Sequence, residues 1–338
     1  MRWMAFGLAL LAADVLTAAA PVSAAPAPAP TSDMFRGKTI TYIVSTTPGG
    51  GYDTYGRLIA RHLPKYLTGA RVIVKNVPGA GNIIGANTIY ASKPDGLTIG
   101  MFNTGLIYDQ IRGRSGLQFD LAKFSWIGKA AVETRAVLIS TKSPFKSFDD
   151  IVKSPTPVKF STSGIGTASF IDTRILVDAL HLNVQIVNNF TGNQGEMAML
   201  RGEIAAQVGT VDTLEQFVKN GNGFFALAMT GAASELPNVP RVERYVNDER
   251  GKKLLGVLNA VSELGRLTAG PPGIPANILG IHRAALFAVM NDPAVRAEAE
   301  KLNLPIDPLP GDAVEAKVKA ALAQPPETVA ALKQAAGG

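Results

Sequence analysis

Residues 39–44, Thr-Ile-Thr-Tyr-Ile-Val, are all β-branched or aromatic, and Pro48 with Gly49, Gly50 and Gly51 breaks the run soon after. Such a stretch favours a pleated, buried strand. From Asp53 onward Leu58, Ile59 and Leu63 share one helical face. A strand, a glycine turn and a helix start leave backbone N–H groups converging on one small space. The helix dipole adds roughly half a positive charge there, which makes the turn a natural seat for a carboxylate or phosphate. Asp53 reads either as the N-cap of that helix or as a group that meets a ligand, and Arg57 one turn later is its (i, i+4) partner.

The same unit recurs in the second half. Residues 158–161 form a strand, 163–169 a glycine turn (Ser-Gly-Ile-Gly-Thr-Ala-Ser), and 170–180 a helix. Two such turns facing each other across a cleft would hold one small anion between two helix starts. Further strands are expected at 71–75, 97–102, 125–128 and 136–140, and a second glycine loop at 76–85 leads into a helix ending at Tyr90. The alternation continues through 184–188, 196–201, 205–208 and 224–229, and amphipathic helices follow at 276–290, from 293, at 313–323 and at 327–335. The pattern predicts an α/β fold of two lobes, each a mostly parallel sheet flanked by helices. With 338 residues, two domains of ordinary size fit. The expected division is 34–130 with 258–338 for the first lobe and 131–257 for the second. The interrupted apolar stretch 254–270 carries the chain back, and Arg266 within it either clamps a carboxylate in the cleft or is solvated.

Other chemistries lack support. His62, His181 and His282 stand apart with no partners at metal-ligand spacing, and there is no cysteine. Neither a Gly-x-Ser-x-Gly elbow nor a P-loop occurs. Gly79, Gly81 and Gly85 are spaced Gly-x-Gly-x-x-x-Gly, a weak version of a dinucleotide loop, so a dinucleotide-dependent oxidoreductase is the alternative from another class. The expectation is no cofactor and no metal. The net charge of +6 is scattered rather than gathered into a nucleic-acid patch. Residues 1–25 read as a cleaved export signal, with Arg2, a short apolar core and a small-residue site at 22–25. Residues 26–33 are an Ala/Pro-rich tether.

The ordered series Pro48-Gly-Gly-Gly-Tyr-Asp53 with Arg57, Asn76-Val-Pro-Gly-Ala-Gly81, Ile84-Gly85 and Pro94-Asp-Gly96 resembles the substrate-binding receptors of tripartite tricarboxylate transporters, the Bug receptors. Phe124-Ser-Trp-Ile-Gly128, Ser163-Gly-Ile-Gly-Thr167, Phe190-Thr-Gly192, Leu200-Arg-Gly202, Leu236-Pro-Asn-Val-Pro240 and Gly270-Pro-Pro-Gly-Ile-Pro275 continue it, from about residue 38 to the C-terminus. The resemblance implies a monomeric, periplasmic, non-enzymatic receptor that closes on a small carboxylate and delivers it to the permease subunits of a transporter, or, with the same fold, to a sensor kinase. It implies a site made of Ser45, Thr46, Thr47, Gly50, Gly51, Tyr52, Asp53, Asn103 and Thr104 on one side. On the other it implies Ser163, Gly164, Gly166, Thr167, Thr191, Gly192 and Asp212; Arg266 of the return segment joins these expected site residues on its own chemistry, not through the resemblance. Departures from that pattern include Tyr52 in place of a small hydroxyl residue and Glu263 and Arg266 in place of aromatic and apolar ones.

Overall fold

A computed structural model describes residues 33–337, so the expected signal at 1–25 and residues 26–32 of the tether lie outside the described residues. The chain opens with β1 (Thr39–Val44), α1 (Gly51–His62), β2 (Arg71–Asn76), α2 (Ile83–Tyr90), β3 (Thr98–Phe102), α3 (Gly105–Arg112) and β4 (Ser125–Lys129). A second series follows: β5 (Arg135–Ser140), α4 (Phe148–Val152), β6 (Val158–Ser161), α5 (Ala168–Ala179), β7 (Val184–Val187) and α6 (Gln194–Leu200). It ends with β8 (Ala206–Thr210), α7 (Val211–Lys219), β9 (Gly223–Ala228) and α8 (Glu249–Ser262). The last part is β10 (Leu267–Gly270), α9 (Ala276–Asn291), α10 (Pro293–Lys301), β11 (Leu309–Pro310), α11 (Gly311–Leu322) and α12 (Pro326–Ala336).

These strands make two sheets, ordered β11-β4-β10-β3-β1-β2 and β7-β6-β8-β5-β9. Strand β1 pairs in parallel with β2 and β3, and β6 with β7 and β8. Strand β10 is antiparallel to β3 and β4, β11 to β4, and β5 to both β8 and β9. The two-sheet α/β reading holds: four strands of each sheet run one way, with β10 and β11 reversed in the first and β5 in the second. Strands β5 and β10 begin where the chain crosses from one sheet to the other, so they run against the strands that arrive there.

Helices α3, α7 and α8 have no counterpart in the sequence reading. In α3, Leu106, Ile107, Tyr108, Asp109 and Arg112 are all buried, so its apolar period is masked by polar residues that are interior too. Helix α8 supplies Leu254, Leu255, Val257, Leu258 and Val261 to the core and occupies most of the stretch read as the return; the first sheet resumes only at Leu267.

One apolar cluster joins the two sheets. It runs from Phe102 and Trp126 of the first, through Leu106, Ile175 and Leu258, to Val137 and Phe160 of the second. Helix α12 packs against α3, α5 and α8 together, with Leu332 and Ala335 fully buried. A separate cluster under α1, α9 and α10 covers the far face of the six-stranded sheet, and a small one under α6 and α7 covers the far face of the other.

His282, on α9, is a packing residue. Its ring is tilted against Phe35, and its Nε2 donates to the Gly96 carbonyl at 2.9 Å. Burial lowers its pKa to about 4 against a weaker opposing pull from that carbonyl. Between the unfolded value of about 6.5 and pH 4 the unfolded chain binds a proton that the folded chain refuses, so stability falls as pH drops through that window. The full loss is on the order of 3 kcal/mol. His282→Gln, which keeps a donor for Gly96 and cannot titrate, is expected to flatten the decline between pH 6.5 and 4 in urea melts; an unaltered slope would place the acid sensitivity elsewhere.

Candidate functional site

Strands β1, β2, β3, β6, β7 and β8 all end at one cleft between the sheets. Residues at or just after their ends line a cavity of about 660 Å³: Thr46 and Thr47, Pro78 to Asn82, Asn103, Thr162 and Ser163, Asn189 and Phe190, and Gly209 with Thr210. Because helices follow these strands, the N-terminal ends of α1, α2, α5, α6 and α7 also face it. Ligand sites at the carboxyl ends of strands in open α/β sheets follow from this geometry. No side chain caps α1, α2 or α7; the Ile84 and Val211 N–H groups of α2 and α7 already donate to the Gly79 and Thr134 carbonyls, and it is the first turn of α1 that offers its N–H groups to an anion.

The turn after β1 is held from behind by Asp53. That residue is not the N-cap, which is Gly50, but the third residue of α1. Its carboxylate accepts from the Gly49 N–H at 3.0 Å, Arg57 Nε at 2.9 Å and Asn76 Nδ2 at 2.9 Å. Burial would raise its pKa, and these three donors outweigh burial to hold it below the usual range. With its oxygens so engaged and its side chain buried, Asp53 locks the turn to the end of β2 and does not line the cleft. Ser45 is fully buried and donates to the Met101 carbonyl at 3.2 Å, so it too lies behind the turn. Gly50 faces open space, whereas a Cβ at Gly51 would stand 2.9 Å from Arg266 Nη2 and 3.1 Å from Thr213 Oγ1.

Across the cleft, the turn after β6 brings Ser163, Gly164 and Thr167 to the cavity wall. Thr167 caps α5. Asn103 Oδ1 accepts from both the Gly105 and Ala168 N–H groups at 2.9 Å, which ties the end of β3 to the start of α5. Gly166 is not part of the cavity wall: its φ is 88°, and a side chain there would collide with the Arg114 guanidinium. Thr191 and Gly192 line the wall, followed by Gly195 and Glu196 of α6. Gln207 Nε2 donates to Glu196 at 3.0 Å while Ser161 Oγ donates to Gln207 Oε1 at 3.0 Å. A Cβ at Gly195 would sit 2.5 Å from Gln207 Oε1, so the glycine leaves room for that amide.

The floor is a buried ion network centred on Glu133, in the segment joining β4 to β5. Its carboxylate accepts from Arg266 Nη1 at 2.8 Å, Thr104 Oγ1 at 3.1 Å, the Tyr52 hydroxyl and Arg135. Arg135 also pairs with Asp172 at 3.1 Å, and Tyr108 donates to Asp172 at 2.9 Å. Burial pushes Asp172 up to about 6, with Arg135 opposing. Arg266 reaches Asp212 at 2.9 Å and lies over the rings of Tyr52 and Tyr55, 4.5 and 4.8 Å from their centroids. Burial would raise the Asp212 pKa, and Arg266 overrides it to hold that carboxyl low.

Arg266 is therefore neither solvated nor free to clamp a ligand. It touches the cavity at one edge, with both amino ends of its guanidinium engaged by carboxylates. Asp212 faces away from the cavity, and Thr104 is spent on Glu133 beneath it. Of the expected site residues, Thr46, Thr47, Gly50, Gly51, Tyr52, Asn103, Ser163, Gly164, Thr167, Thr191, Gly192 and Arg266 border the cavity, whereas Ser45, Asp53, Thr104, Gly166 and Asp212 stand behind it. Glu133, Arg135, Glu196 and Gln207 were not expected. None carries a spacing signal, since their partners come from other elements. Among the described residues there is no group of three or more His, Asp or Glu arranged to hold a metal.

Residues 56–319 match the family model described as tripartite tricarboxylate transporter family receptor. A UPF0065 protein of Agrobacterium vitis is 28% identical over 270 residues, which is 78% of this chain and 74% of that protein. The solved structure of the periplasmic binding protein BugD superposes with a TM-score of 0.71 at 21% identity, covering 88% of this chain and 97% of that one. MatC from Rhodopseudomonas palustris with bound malate gives 0.67 at 20% identity, covering 84% and 97%. At these identities the solved structures establish the fold.

Replacing Glu133 by Gln leaves Arg266 and Arg135 buried with their charge partly unmatched. Breaking one partner of such a buried pair costs roughly 3–5 kcal/mol, and a loss of that size is expected in the unfolding free energy from urea melts; an unchanged free energy would show that the network carries no stability.

Proposed function

Because the chain belongs to the tripartite tricarboxylate transporter receptor family, whose members are periplasmic binding receptors rather than enzymes, we propose that it captures a small organic carboxylate between its two sheets and hands it to a transporter of that type. The observation that carries this reading is the cavity wall, made on both sides by the starts of helices and the glycine turns before them. Such a wall offers main-chain N–H groups and hydroxyls as donors to an anion. Bound malate in a structural neighbour supports the carboxylate class.

The family also supports export, in line with the signal expected at 1–25. No helix among the described residues is long and apolar enough to cross a membrane. In this reading each sheet with its helices moves as a body about the two crossing segments, 130–134 and 263–266. These are tied to each other by the Ala130 N–H on the Arg266 carbonyl at 3.2 Å and the Glu133 N–H on the Ser262 carbonyl at 2.9 Å. Ligand held by one wall recruits the other, and the closed form is the one a permease recognises.

The test is a thermal-shift screen of the purified protein with mono-, di- and tricarboxylates, aromatic acids and acidic amino acids. A ligand present at 100 times its dissociation constant adds about 2.7 kcal/mol. Gly50→Val places a side chain into open space at the turn, so it is expected to fold normally and lose the shift. Silence across the whole panel overturns the carboxylate reading, and full binding by the Gly50→Val protein removes the first turn from the site.

A further inference from the structure

The charged groups around the cavity are unevenly matched. Three arginines border it, and each is already committed: Arg114 to Asp109 at 2.8 Å, Arg135 to Glu133 and Asp172, and Arg266 to Glu133 and Asp212. No lysine or histidine lines it among the described residues. One carboxylate does, Glu196, and it has no cationic partner. Its single side-chain donor is Gln207 Nε2, whose orientation is set by Ser161 and by the clearance at Gly195. Burial holds the Glu196 carboxyl above its usual range, with its own backbone N–H and Gln207 offsetting this only in part.

We propose that the ligand is bipolar: a carboxylate seated on the N–H groups of the Gly50–Gly51 turn, and a positively charged nitrogen that meets Glu196 on the opposite wall. This rests on the receptor reading and narrows it. A second carboxylate at Glu196 would face an unneutralised like charge, and no free cation in the wall is present to offset it. An ammonium there supplies both the counter-charge and the donors that the exposed side of Glu196 lacks. The opposite sheet's loops lie close to the anion seat: the Gly192 Cα bears toward Pro48, where a Cβ would be 3.9 Å from its carbonyl. Gly50, Gly51 and Glu196 border the same cavity, so a ligand held in it meets both the turn and the start of α6.

Isothermal titration of the full protein tests this with ω-amino monocarboxylates of three to six carbons beside the dicarboxylates of the same length. The amino acids are expected to bind at least tenfold more tightly than their dicarboxylate counterparts. Glu196→Gln is expected to cut amino-acid affinity tenfold or more and to erase that preference, with its melting temperature unchanged. Gly195→Ala, which displaces Gln207 and leaves the charge of Glu196, should retain the preference for the amino acids. Dicarboxylates binding as tightly as the amino acids, or a preference that survives Glu196→Gln, overturns the bipolar ligand and leaves the receptor reading intact. Absence of binding by every carboxylate tested overturns both.

Discussion

The carboxylate of Glu133 accepts from four side chains that come from α1, the start of α3, the start of β5 and the return segment before β10. It stands where the chain first crosses between the sheets, and Arg266 stands where it crosses back. The pair thus fastens the two crossings to each other and to the floor of the cleft. Arg266 adopts a left-handed backbone with φ 56°, a conformation that costs a non-glycine residue on the order of 1–2 kcal/mol. Two carboxylates and two tyrosine rings hold it there. Desolvation makes each of these charges expensive alone, so the group persists only as a complete set.

With the crossings fastened, the rest of the site is a matter of strand direction. Strands that arrive at the crossings deliver loops and helix starts to a common space; β5 and β10 leave it and contribute little beyond Arg135 to its wall. Recognition groups are therefore concentrated in segments that make few contributions to the core, and the two functions of the chain, folding and selecting a ligand, are largely separated in sequence.

How much of this was legible follows from the range of each interaction. The two glycine turns could be read because a strand run, a φ-permissive residue and a helical period are all local, and residues such as Gly50 and Thr167 do face the cavity. Asp53 was recognisable as a helix-start carboxylate, but its third donor, Asn76, comes from the next strand, which decides that it locks the turn. Tyr52 and Arg266 read as two unrelated departures from the family pattern; in space they are one unit, ring against guanidinium, with Glu133 between their polar ends. Glu133 and Glu196 have no periodic or motif signal, since what distinguishes them is the partners supplied, or withheld, by distant segments. Helix α3 escaped for a different reason: it is short, and the polar Asp109 and Arg112 are buried together with its apolar residues, so interior and polar positions overlap along it.

The C-terminal helix α12 fills the seam among α3, α5 and α8, elements drawn from both halves of the chain. Remove that one helix and every residue of the cleft wall is still in the chain, while the stripe of shared interior that Leu332 and Ala335 now cover is left open to water.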